Sequence, residues 1–93
     1  MRSIVEVLDR AKAVQKVRSD YKLSLTLGIG ESSLSSYRRG LVLPDELNCT
    51  KLAIAMGEDP ALLVVEMQAQ RAKSPESKKL WVGIAQRLKN NIH

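Results

Sequence analysis

Between Glu31 and Gly40 the chain reads Glu-Ser-Ser-Leu-Ser-Ser-Tyr-Arg-Arg-Gly, setting four serine hydroxyls and two guanidinium groups on ten residues. At a helical step of about 100° per residue, Leu34 and Tyr37 share one face. Ser32, Ser36 and Arg39 lie opposite them, with Ser35 at the edge and Ser33 to the side. Serine hydroxyls both donate and accept hydrogen bonds, and arginine pairs with phosphate or with a base edge. Such a face carries recognition chemistry. It carries no catalytic chemistry, because no general base accompanies the hydroxyls. The one histidine is His93, the last residue of the sequence, so neither a Ser/His pair nor a histidine metal site is expected. Gly28-Ile29-Gly30-Glu31-Ser32-Ser33 has too few glycines, and no Lys-Ser/Thr pair after them, for a phosphate loop. A non-enzyme without metal or cofactor is the expectation.

The serine-bearing segment belongs to a longer stretch, Asp20–Leu43, which reads as two short helices around a glycine turn. Ser19-Asp20 is a start signal, and Asp20 is assigned to helix capping. Leu23 and Leu27 fall on one side with Leu25 flanking, and Gly28 follows where helices commonly end in a left-handed residue. Ile29, apolar inside a turn, is expected between the helices. Glu31 then opens the second helix at the positive end of its dipole, and Gly40 closes it. A short helix pair with a bare polar outer face has one common use, presenting that face to the major groove of DNA.

The remaining segments supply the frame. Ser3 with Glu6 forms a capping box, and Ile4, Val7, Leu8, Ala11, Val14 and Val17 make the stripe of a first helix. Leu41, Val42 and Leu43 are expected to fold under the domain. Pro44 is expected in the first turn of a fourth helix, with Leu47, Leu52, Ala55 and Met56 buried and Gly57 as its end. Asp59-Pro60 starts a fifth helix, running through Leu62, Leu63, Val65, Glu66 and Met67 to about Lys73. Ser74-Pro75 starts a sixth, amphipathic through Leu80, Trp81, Ile84, Ala85 and Leu88. The fold class is therefore all-α, with residues 1–73 as one unit and 74–93 as an appended helix.

Charge is distributed unevenly over the 93 residues, whose net charge is +5. Residues 1–43 carry eight Lys/Arg against four acids, residues 44–66 one against five, and residues 67–93 six against one. Basic ends around an acidic middle suit one polyanion-facing surface and another turned away from it. Cys49 is the single cysteine, which fits a reducing, cytoplasmic setting, and its place in an amphipathic pattern makes it a packing residue. No apolar run approaches the length of a membrane span, and the N-terminal residues fit neither a secretory signal nor a transit peptide.

Leu23, Ser24, Leu27, Gly28, Leu34 and Tyr37 fall where the helix-turn-helix of the Cro and lambda-repressor-like (XRE) regulators has its core residues and turn glycine. Arg38-Arg39-Gly40, the helix after Pro44 and the segment Leu-Ala-Ile-Ala-Met-Gly-Glu-Asp-Pro-Ala-Leu-Leu resemble the rest of that five-helix domain. The likeness covers about residues 4–67, and the last helix looks like the tail of small phage-related members. The resemblance implies a homodimeric transcriptional regulator, a repressor, that places helix 31–39 in the major groove of double-stranded DNA. It implies base contacts from Glu31, Ser32, Ser35 and Ser36. Phosphate contacts would come from Tyr21 and Lys22 at the start of one helix and from Arg38 and Gly40 at the end of the next. Arg39 is placed for either a base or a phosphate. Two departures stand out. Ser24 replaces the family's usual alanine at the closest helix approach, and Asp20 stands where a polar donor is usual. Long donors are scarce on the reading face, so modest direct readout is expected, with water or DNA shape contributing.

The sixth helix either folds back over the first or fifth helix or pairs with its twin through Leu80, Trp81, Ile84 and Leu88, and the pairing is the expectation. A different use of the same fold, as a module binding another protein through that helix, is the alternative.

Overall fold

Ser3, Ser19, Asp45, Asp59 and Ser74 each accept a hydrogen bond from a backbone amide two or three residues ahead, and each starts a helix. These caps fix five of the six helix starts in the computed structural model of the protein, which describes residues 1–91. The helices are α1 (Ile4–Gln15), α2 (Asp20–Leu27), α3 (Glu31–Arg38), α4 (Glu46–Met56), α5 (Pro60–Arg71) and α6 (Pro75–Asn90), with no strand among the described residues. His93 lies outside the described residues. None of the helices is long and apolar enough to cross a membrane. The Cα radius of gyration, 13.2 Å, is that of a compact chain.

The core is aliphatic. Leu8 of α1, Leu23 of α2, Leu34 of α3, Leu52 of α4 and Leu63 and Met67 of α5 are fully buried together. Each such side chain contributes about 1.5–3 kcal/mol by leaving water. α1 lies against α4 and α4 against α5, while α2 and α3 pack on each other and on α1. Cys49 is buried in this core, and burial pushes its thiol up to about 11, so it stays protonated and unreactive.

A buried charge joins the N-terminal segment to α5. Glu66 is only 3% exposed. Arg2 Nε donates to Glu66 Oε1 at 3.1 Å, and Arg2 Nη1 donates to the Glu58 carboxylate at 2.8 Å. Gln70 Nε2 donates to the Arg2 carbonyl at 2.7 Å, so the segment before α1 is pinned along α5.

Several expectations are corrected. Pro44 is not in the first turn of α4; it is buried just before Asp45, whose side chain accepts from the Asn48 amide and takes the cap. Leu47 is 62% exposed, and Leu41 and Val42 are exposed as well, leaving only Leu43 of that loop packed on the core. Val14 is exposed, because α1 ends at Gln15 and Lys16 turns the backbone left-handed at φ 58°. That turn lets Val17 reach the core from outside the helix. α5 ends at Arg71, whose guanidinium donates to the Leu43 and Pro44 carbonyls and ties the α3–α4 loop to the end of α5. α6 rests on α5 alone and buries only Ala85 fully.

Candidate nucleic-acid interface

The geometry of α2 and α3 follows from their short lengths. Each has eight residues and two buried side chains, Leu23 and Ser24 in α2 and Leu34 and Tyr37 in α3. The turn between them needs Gly28, whose φ of 67° is one that a side-chain-bearing residue adopts only with strain. Its amide and that of Ile29 both donate to the Ser24 carbonyl, at 2.9 and 3.2 Å. Lys51 Nζ, reaching over from α4, donates to the Gly28 carbonyl at 2.9 Å and sets a cation at the negative end of α2. Ile29 is buried, as its apolar character in a turn required. The Ser24 hydroxyl donates to the Tyr21 carbonyl at 2.6 Å, so a serine fits the helix approach with no orphaned polar atom.

α3 is anchored towards its C-terminal end. Tyr37 Oη accepts from Asn48 Nδ2 of α4 at 2.8 Å. Gly30 takes the N-cap position without a side-chain bond, and Glu31 occupies the first turn. The helix ends at Arg38 and Arg39 is its C-cap, one residue short of the expected 31–39 span.

Most sequence-derived candidates reach the surface. Tyr21, Lys22, Glu31, Ser32, Ser35, Arg39 and Gly40 are exposed, while Ser36 is half-buried. Tyr21 and Glu31 come together on one shallow groove, which Leu25, Gly28, Ile29 and Gly30 also line. Leu25, expected only to flank the buried side of α2, is 63% exposed there. On α6, which packs on α5, Leu80 is exposed, with Trp81, Ile84 and Leu88 half-buried beside it.

Arg38 is placed differently from its neighbours. Its Nε and Nη2 donate to the two oxygens of Asp20 at 3.1 and 2.8 Å, and its Nη1 donates to Asp9 at 2.7 Å. Lys12 Nζ lies 3.3 Å from the same Asp20 carboxylate. The Arg38 hydrogen bonds hold the Asp20 carboxyl below its ordinary range against the opposing effect of partial burial. Asp20 is therefore an ion-pair partner in the first turn of α2, and the capping role expected of it belongs to Ser19. Asp9 and Lys51 were not singled out from the sequence. The partner of Asp9 stands 29 residues away and that of Lys51 23 away, while Lys12 lies 8 residues from Asp20, and no local spacing signals such pairs. Set against known proteins, the chain matches no family model, no curated protein and no solved structure.

Proposed function

We propose that the protein is a DNA-binding transcriptional regulator in which α2 and α3 act as a helix-turn-helix of the lambda-repressor type. α3 lies in the major groove, and the protein acts without catalysis as a repressor of phage or prophage kind. One observation carries the reading: a left-handed Gly28 sets α2 against α3 so that Tyr21 and Glu31 share a groove beside exposed Ser32 and Ser35. Tyr21, Lys22 and Gly40 meet phosphate; Glu31, Ser32, Ser35 and Ser36 meet base edges; Arg39 serves either.

Anisotropy titration of labelled duplexes at two or more salt concentrations tests this reading. Lys22→Ala should weaken binding to all sequences and flatten the slope of log K against log salt by about 0.9. Ser36→Ala should leave that slope alone and relax preference at one base position by about 1 kcal/mol. Binding that is indifferent to both salt and Lys22 would rule the reading out.

The homodimer forms through α6, supported by a stripe that stays half-uncovered although α6 rests on α5, with Leu80 58% exposed. The Trp81→Ala/Ile84→Asp variant should be monomeric by light scattering, and a persistent dimer would exclude α6 as the contact. A module for binding another protein is the second reading, favoured by the apolar Leu25 on the α2–α3 groove.

A further inference from the structure

We propose that Asp9 and Asp20 withhold the Arg38 guanidinium from nucleic acid, so that Arg38 positions α3 against α1 and α2 and is not a phosphate ligand. The inference rests on the DNA-binding reading and changes which residues carry its affinity.

The geometry of the guanidinium is the first ground. Arginine recognises phosphate and carboxylate with the same planar fork. On Arg38 the edge formed by Nε and Nη2 is closed bidentately by Asp20, and Nη1 is taken by Asp9. Three of the five N–H donors are taken, and a phosphate that engaged the bidentate edge would have to displace the Asp20 carboxylate already in place.

The surroundings are the second ground. Arg38 is 27% exposed and Asp20 32%, so these charge-assisted bonds are partly shielded from water. The charged groups drawn together come from three helices, Asp9 and Lys12 on α1, Asp20 on α2 and Arg38 on α3. Two acids balance two bases, so the cluster offers a polyanion no net attraction. Pulling Arg38 away would leave Asp20 with Lys12 alone, a carboxylate close to the incoming phosphate.

The third ground is placement. Arg38 is the last residue of α3, and its two partners fix that end of the helix to both neighbours at once. A residue placed there controls the angle at which the serine face is presented.

The consequence is an affinity held down by two acids. The test is anisotropy titration of a labelled random-sequence duplex over a series of salt concentrations, for the intact protein and its variants. Arg38→Ala should lower the melting temperature and leave the salt slope unchanged. Asp9→Asn/Asp20→Asn should bind several-fold more tightly, with a slope steeper by about 0.9, the contribution of one newly neutralised phosphate. Adding Arg38→Ala to that pair should return the slope to its original value. Glu46→Gln/Glu76→Gln, which removes two exposed acids from other helices, controls for net charge and should leave the slope unchanged. Asp9 is 59% exposed, so Asp9→Asn alone tests the same point, in the same direction, if the pair folds poorly.

A flatter slope for Arg38→Ala in the otherwise intact protein would overturn the proposal and leave the DNA-binding reading standing. So would an unchanged slope for the Asp variants. Absence of binding by every form, the intact protein included, would overturn both. Binding by the Asp variants alone would support the proposal in its strongest form.

Discussion

Leu34→Ala is expected to destabilise the protein by about 3 kcal/mol, the usual cost of emptying a leucine site in a closed core. For a domain of this size that corresponds to a fall of about 12–24 °C in melting temperature. The site is fully buried among α1, α2 and α3, so little surrounding chain can collapse into the space. The effect on α3 should exceed the effect on the rest of the molecule. α3 is eight residues long, too short to be stable alone, and Leu34 and Tyr37 are its buried residues. Hydrogen exchange should therefore show α3 opening before α4 and α5, and thermal melting by circular dichroism gives the global loss. An unchanged melting temperature would mean that Leu34 is not a core residue.

Arg2→Ala is expected to cost about 3 kcal/mol, the lower end of what breaking a buried ion pair costs, because Arg2 itself is partly exposed. The loss arises at Glu66. Its carboxylate is buried on α5 with Arg2 as its ion-pair partner, and truncating Arg2 leaves it desolvated. The variant also frees Glu58 and loosens the segment that Gln70 holds through the Arg2 carbonyl. Glu66→Gln in the same background should recover part of the stability, since an amide is less costly to bury than a charge. Denaturant unfolding of the two variants checks both steps. Equal stability of Arg2→Ala and the unaltered protein would show that the clamp contributes nothing.

The parts of the fold that depend on near neighbours in the chain were legible from residue types. Ser3, Ser19, Asp59-Pro60 and Ser74-Pro75 start helices where expected, and Gly28 and Gly57 end them in the left-handed conformation. Pro44-Asp45 misled because two start rules compete there. A proline suits the first turn, but an aspartate that follows it can cap, and the Asp45 bond to the Asn48 amide decides the matter. Burial was legible only where several helices converge. Leu34, Tyr37 and Leu52 are covered from more than one side, whereas Leu41, Val42 and Leu47 are apolar at places no other element covers.

The candidate interface divides in the same way. The serine face of α3 follows in large part from helical angle: Ser32 and Arg39 are exposed as that angle requires, whereas Ser36, set on the same face, is half-buried. The state of Arg38 does not follow from it. Asp20 is 18 residues away and Asp9 29, and only the crossing of α1, α2 and α3 brings the three together. An arginine in a basic stretch looks the same in sequence whether its partner is a phosphate or a carboxylate. Lys51 is a similar case, since its bond to the Gly28 carbonyl depends on how α4 lies against α2.

The central claim is that the exposed face of α2 and α3 meets duplex DNA. Amide chemical-shift mapping tests it most directly, with ¹⁵N-labelled protein titrated with a duplex of about two helical turns, the length a two-fold dimer spans. The account predicts shifts at Tyr21, Lys22, Glu31, Ser32, Ser35, Ser36 and Arg39, with Pro60–Asn90 unchanged beyond any dimer contact on α6. Shifts centred on α5 and α6 with α3 silent, or no shifts at all with DNA in excess, would contradict it.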